Sequence, residues 1–149
     1  MIKKTITLAI LTLLLSGSVI GDNIGFIDMQ RILTTYKGAI EIQTEIKKQR
    51  EDYQSFFEEQ QKKLEDAKKD NKSEEEVKKI VEEIQKEMRP KQEMLIQYEG
   101  MKQQGLLKEI ISNVQDVRKE YGIDIVLDKQ VVYDGGFDLT YFLLEKLNK

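Results

Sequence analysis

The chain has 149 residues, and its 24 basic and 27 acidic side chains give a formal net charge of −3. It contains no Cys and no His, which excludes disulfides, thiol or imidazole catalysis and the usual transition-metal sites. Charged residues make up 34% and aromatic residues 7%, a composition typical of long solvated helices rather than of a compact enzyme. We therefore expect no catalytic, cofactor-binding or metal-binding residues.

The N-terminus has the pattern of a secretory signal peptide over residues 1–21. Two early lysines precede an uncharged apolar run of about ten residues, and small residues follow it. We expect cleavage before Asp22, with a cut after Ser18 as the alternative. The run is much shorter than the roughly 20 residues that span a bilayer, which argues against a membrane anchor.

The mature chain is predicted to be exported and acidic. Removal of the signal peptide leaves 128 residues with 22 basic and 27 acidic groups, a net charge of −5. An overall basic field for nucleic acid or anionic lipid is therefore not expected.

The first segment of the mature chain predicts a strand followed by a short helix. The apolar run at residues 24–27 favours a strand, and Asp28 is a candidate N-cap for a helix that reaches Leu33. Gly38 is the predicted break before the next element.

Residues 39–95 are rich in charge, with 16 acidic and 13 basic groups. Two series of side chains, which we call the seam, recur at alternating spacings of about four and three residues. This spacing is that of a left-handed coiled coil. The stripe of side chains that it produces is too narrow for a globular core. The two series are Ile42, Ile46, Gln49, Tyr53, Phe56 or Phe57, Gln60, Leu64 and Ala67, and Val77, Val81, Ile84, Met88, Lys91, Leu95, Tyr98 and Lys102.

A polar segment at residues 70–76 separates the two series. Asn71 is a plausible helix terminus, and Ser73 with Glu76 forms a capping box for a second helix. A short turn between two heptad runs predicts an antiparallel helical hairpin, with limbs about 48 Å long. The alternative, one continuous helix, is disfavoured by the capping box.

The C-terminal part alternates helix, strands and helix. A wider apolar stripe from Leu106 to Tyr121 predicts a helix packed into a body. Residues 123–127 and 131–133 predict two strands. Asp138 is expected to cap a final helix whose apolar face includes Leu139, Phe142, Leu143 and Leu147.

The predicted fold class is α+β and mostly helical, with a small β-body and a long antiparallel coiled-coil arm. We assign residues 22–38 and 106–149 to the body and residues 39–105 to the arm, whose tip lies near 70–76. So few short strands are marginal in isolation, and their edges need cover. The body is therefore expected to associate with other copies of the chain.

Other candidate sites have simpler interpretations. Asp124, Asp128, Asp134 and Asp138 lack the spacing of an EF-hand loop, so we expect them at strand ends and helix caps. Residues 62–79 carry seven lysines, but six acidic residues accompany them, which favours a solvated surface.

Several apolar residues of the arm are candidates for contact with an unfolded client. Neighbours on a helix lie about 100° apart, so Phe56 and Phe57 cannot both face the other limb. Such residues either broaden the seam or leave apolar patches that suit variable partners. The candidates are Tyr53, Phe56, Phe57, Ile80, Met94 and Ile96.

The order of these pieces resembles the Skp/OmpH family of exported, ATP-independent chaperones. The similarity lies in the block at residues 24–33, in residues 123–127 and 131–133, and in Asp138-Leu139-Thr140 before the last helix.

This resemblance implies a homotrimer that holds unfolded outer-membrane proteins in a periplasmic cavity between helical arms, without a cofactor. It also implies that Ile24, Phe26, Ile27, Val126 and Val132 serve the oligomeric body.

The acidic charge departs from the basic character of well-known family members. Long-range electrostatic capture of clients is therefore not expected here, and membrane contact is at most peripheral. Two alternatives remain from the sequence. One is an envelope coiled-coil scaffold or adaptor that binds a folded partner, and the other is a carboxylate hydrolase.

Overall fold

The computed structural model describes residues 23–149, so the predicted signal peptide at residues 1–21 lies outside the described part of the chain. The elements in chain order are β1 (Ile24–Ile27), α1 (Met29–Thr35), α2 (Lys37–Lys69), α3 (Glu74–Glu120), β2 (Ile125–Asp128), a 3₁₀ turn (Lys129–Val131), β3 (Phe137–Asp138) and α4 (Thr140–Leu147). This architecture confirms the predicted α+β class with long helices and a small sheet.

The first helix begins as the sequence predicts. The Asp28 carboxylate accepts a hydrogen bond of 2.9 Å from the Arg31 backbone N–H, which satisfies a donor in the first turn of α1. The break that follows lies at Tyr36, whose backbone is extended, and not at Gly38. Gly38 is instead in the first turn of α2, where a Cβ atom would collide with the Tyr36 ring. This glycine therefore makes room for an aromatic ring rather than ending a helix.

Helices α2 and α3 form the predicted antiparallel hairpin. The chain reverses at Asn71, whose φ of 52° lies in the left-handed region. The Ser73 side chain then accepts from the Glu76 backbone N–H, and the Glu76 carboxylate accepts from the Ser73 N–H. This reciprocal capping box starts α3, which continues without interruption to Glu120.

The strands form a three-stranded parallel sheet in the order β2-β1-β3. Ile24 pairs with Ile125 on one side of β1, and Gly25 pairs with Phe137 on the other. The predicted strand at residues 131–133 is wrong. Asp128 accepts from the Gln130 N–H and starts the 3₁₀ turn, so the chain leaves the sheet before it returns at β3.

The hydrophobic core lies where α1, the start of α2, the end of α3 and α4 meet the sheet. Its largest fully buried apolar side chains include Ile32, Ile110, Leu139 and Leu143. The arm beyond this core is thin, since only Ile46, Gln60 and Ala67 are buried on its seam. No helix within residues 23–149 is both long and apolar enough to cross a membrane.

Candidate functional site

A groove between the two limbs of the arm has a largely apolar lining. It has a volume of about 410 Å³ and lies in the half of the arm nearer the body. We call it the arm groove. Its apolar lining consists of Tyr53 and Phe56 from α2 and Met94, Leu95, Tyr98 and Met101 from α3.

The arm groove combines exposed methionine side chains of α3 with half-buried aromatic rings from both helices. Met94 is 68% exposed and Met101 is 66% exposed, whereas Tyr53 and Phe56 are half-buried. The Lys91 ammonium lies 4.6 Å from the centroid of the Phe56 ring, within cation–π range. Flexible thioethers beside aromatic rings form a surface that adapts to different apolar side chains.

Polar contacts between the limbs fix their register beside the groove. The Arg50 guanidinium donates two hydrogen bonds to the Glu99 carboxylate, at 2.6 and 2.7 Å. The Glu45 carboxylate accepts from the Tyr98 hydroxyl at 3.0 Å and also pairs with Lys102. These contacts place residues 49–56 of α2 opposite residues 91–101 of α3, and this alignment creates the groove.

The same contacts change the acidity of the two carboxyl groups. The hydrogen bond and positive charge of Arg50 hold the pKa of Glu99 below its usual range. Lys102, followed by the Tyr98 hydroxyl, does the same for the pKa of Glu45. Both carboxylates therefore stay ionised at neutral pH, and the polar contacts between the limbs persist.

The structure brings three of the six client-contact candidates together and separates the other three. Tyr53, Phe56 and Met94 line the arm groove. Ile96 is 63% exposed, but two residues correspond to about 200° on a helix, so it lies on the opposite side of α3 from Met94. The other two are placed elsewhere: Phe57 is half-buried beside Phe56 and does not line the groove, and Ile80 lies in a second cleft near the tip.

Met101 lines the groove but is not among the six candidates predicted from the sequence. The available signal was its spacing of seven residues from Met94, which places both methionines on one face of α3. Leu95 and Tyr98 belong to the seam, and they also line the groove.

The cleft near the tip is charged rather than apolar. It has a volume of about 360 Å³, and its walls include Lys63, Asp66, Glu83 and Glu87. Gln60 also lines this cleft and is only 2% exposed. The Gln60 Nε2 group has no hydrogen-bond partner among the described residues, and an unsatisfied buried donor of this kind costs stability.

The five body candidates have different environments. Ile27 is buried in the chain's own core, and Val126 packs against that core, so both already serve the single chain. Ile24 is exposed at the start of β1, Phe26 is half-buried, and Val132 is half-buried outside the strands.

Additional apolar residues are exposed on the surface of the body. Ile125 and Leu127 on the edge strand β2, and Phe137 on β3, are partly exposed. Phe137 stacks on Phe142, with ring centroids 5.8 Å apart. The ring centroids of Tyr121 and Phe142 are 4.4 Å apart. The two outer strands and this aromatic cluster give the body an apolar surface that the single chain does not cover.

The four aspartates near the turns accept backbone hydrogen bonds. Asp128, Asp134 and Asp138 accept backbone hydrogen bonds from residues one or two positions later in the chain, and Asp124 accepts from the Asn23 N–H at 2.9 Å. Within residues 23–149, no three acidic side chains lie close enough to hold a metal ion.

Comparison with known proteins identifies one family. Residues 23–147 match the family model described as outer membrane protein (OmpH-like), a match that covers almost all of the described chain. A search of the curated proteins found no match. The family supports a periplasmic, chaperone-type function in general, which involves outer-membrane protein clients. The chain belongs to the OmpH-like outer membrane protein family.

Proposed function

We propose that the protein is an ATP-independent holdase that binds unfolded outer-membrane proteins in the periplasm. The observation that carries this proposal is the arm groove, an open and largely apolar surface on an arm that is rich in charge. A soluble arm gains no stability from exposing Met94 and Met101 to water. Their exposure is explained if they contact an apolar segment of another chain.

The mechanism rests on many weak apolar contacts rather than on a chemical step. Burial of apolar surface contributes about 25 cal/mol per Å², so one small groove gives only modest affinity. Several grooves acting on the same unfolded chain would raise the overall affinity by effective concentration. A client held in this way is shielded from aggregation and released without nucleotide.

We propose that three copies assemble through the body into a homotrimer, with the arms surrounding a central cavity. The exposed side chains of Ile24, Ile125 and Leu127, together with the open edge of β2, support association through the sheet. An arm with so few buried residues also gains from a shared, rigid base. The partners are therefore other copies of the chain and unfolded clients.

We further propose export to the periplasm with cleavage of the signal peptide at residues 1–21. The short apolar run after two lysines supports this assignment. The net charge of −5 in the mature chain argues against nucleic acid as a partner and limits membrane contact to peripheral encounters.

The test is an aggregation assay on the purified mature protein. An unfolded outer-membrane β-barrel is diluted from urea without nucleotide, light scattering is recorded, and the oligomer mass is measured in parallel. Suppressed scattering at about one trimer per client supports the proposal. Unchanged scattering from a well-folded oligomer contradicts it and favours the scaffold, which predicts one folded and specific partner.

A further inference from the structure

The two methionines of the arm groove combine high exposure with a place in the apolar surface. Met94 and Met101 are 68% and 66% exposed, and both line the groove. They are seven residues apart on α3, which corresponds to about 10.5 Å along the helix. Any reaction at these two thioethers therefore changes the chemistry of one surface.

The composition of the chain directs oxidants to methionine. The sequence contains no Cys, no His and no Trp, so no thiol, imidazole or indole competes for a two-electron oxidant. Of the other methionines in the described chain, Met29 packs against the core and Met88 is half-buried in the arm. Exposure therefore favours reaction at the groove.

We propose that Met94 and Met101 form a reversible oxidation site that lowers the affinity of the arm groove for its client. The inference rests on the proposed holdase function. The oxidant class is a peroxide, with hydrogen peroxide as the simplest member. A thioether converted to a sulfoxide is polar, so it no longer contributes apolar surface to the groove.

The reaction balances without a metal or a cofactor. A sulfur lone pair attacks one oxygen of hydrogen peroxide, an S–O bond forms and the O–O bond breaks. The second oxygen takes up the proton from the oxygen that is now bonded to sulfur, and it leaves as water. Sulfur is oxidised by two electrons to the sulfoxide, peroxide is reduced by two, and methionine sulfoxide reductases reverse the change.

The experiment treats the purified mature protein with hydrogen peroxide and measures two quantities. Peptide mass spectrometry reports which methionines gain one oxygen atom, and titration with an unfolded outer-membrane β-barrel reports client affinity. We expect Met94 and Met101 to react before Met29 and Met88. Client affinity should fall by about tenfold as both sulfoxides form and recover after enzymatic reduction.

Two variants assign the effect to the groove. Each is compared with its own untreated sample, so basal affinities do not enter the comparison. The double variant Met94→Leu/Met101→Leu keeps apolar side chains that peroxide does not oxidise, and its affinity should be unchanged by treatment. The matched variant Met29→Leu keeps both groove methionines, and its affinity should fall as in the unmodified chain.

The outcomes separate this inference from the proposed function. If the untreated protein binds no client, the holdase function itself is wrong, and the oxidation site has no such role. If the untreated protein binds but fully formed sulfoxides at Met94 and Met101 leave affinity unchanged, the inference alone is wrong. A loss of affinity that persists in the double leucine variant would also overturn it.

Discussion

The Tyr36 hydroxyl donates a hydrogen bond of 2.7 Å to Glu109 Oε1, joining the start of α2 to α3 at the base of the arm. Tyr36 is 7% exposed, and its extended backbone separates α1 from α2. One residue therefore determines where the arm begins and also ties it to the body. The interaction is local to neither helix, because 73 residues separate its partners.

Removal of this hydroxyl should destabilise the base of the arm. The substitution Tyr36→Phe keeps the ring but deletes the hydrogen bond, and it should lower the free energy of unfolding by about 1 kcal/mol. Urea denaturation followed by circular dichroism measures this change. An unchanged midpoint with an unchanged slope would show that solvent replaces the Glu109 contact at no cost.

High pH should test the same contact. The Glu109 carboxylate, together with burial, raises the pKa of Tyr36 to about 12, above its usual value of 10. A raised folded-state pKa stabilises the protein fully below pH 10, and this stabilisation is lost as pH rises towards 12. The free energy of unfolding should therefore fall more steeply over this interval in the unmodified chain than in Tyr36→Phe, and parallel pH profiles would contradict the assignment.

Two glycines within the long helices should respond in opposite ways to alanine. Alanine normally stabilises a helix interior by about 1 kcal/mol relative to glycine, and Gly100 has open space around its missing Cβ. At Gly38 the new Cβ would lie 2.5 Å from the Tyr36 ring, which Glu109 holds in place. We expect Gly100→Ala to raise the thermal midpoint and Gly38→Ala to lower it, with a net loss of roughly 1 kcal/mol. A gain in both variants would mean that the ring moves freely.

Acid should weaken the contacts that align the limbs. The pKa values of Glu99 and Glu45 are lowered by Arg50 and by Lys102 respectively. A depressed folded-state pKa stabilises the protein above the usual value of about 4.5, and the stabilisation is lost as pH falls through the lower folded value. The variant Glu99→Gln should show a weaker loss of stability in this acidic interval. Because the Arg50 side chain is well exposed, Glu99→Gln should lower the free energy of unfolding at neutral pH by less than Tyr36→Phe does.

Met94 and Ile96 provide a matched pair for the client surface. They are similarly exposed and two residues apart, but they lie on opposite sides of α3. Met94→Ser should reduce client affinity by about fivefold because it removes apolar surface from the arm groove, whereas Ile96→Ser should change it by less than about twofold. Fluorescence titration with an unfolded β-barrel measures both. Equal losses would show that clients contact the whole arm surface rather than the groove.

Client binding should depend only weakly on salt. The mature chain is acidic, so it lacks the basic field that draws in acidic clients over long distances. Apolar contact is not screened by ions, and affinity should change by less than about tenfold between low and physiological ionic strength. A larger loss would show that charged pairs dominate capture.

Local sequence patterns account for much of the fold. The Asp28 cap, the capping box of Ser73 and Glu76, and the seam spacing each depend on residues within a turn or two of one another. Such signals can be recognised without knowing which distant segments pair. The long helices and the reversal near Asn71 follow from them.

The third strand depended on distant residues. Residues 131–133 have strand-forming side chains, yet the free side of β1 pairs with Phe137 and Asp138. Gly135 and Gly136, with φ of 77° and 88°, allow the approach to that edge. Competition for a single strand edge is decided by the whole fold, because several segments satisfy the same local preference.

The sequence by itself determined the long helices, the hairpin and the family to which the chain belongs. Only the tertiary structure decided which apolar residues of the arm share a surface. Helical periodicity places Met94 and Met101 on one face of α3, but it does not specify which residues of α2 lie opposite. Contacts such as Arg50 with Glu99 set that alignment, since they join side chains 49 residues apart, and they bring Tyr53 and Phe56 to the same groove.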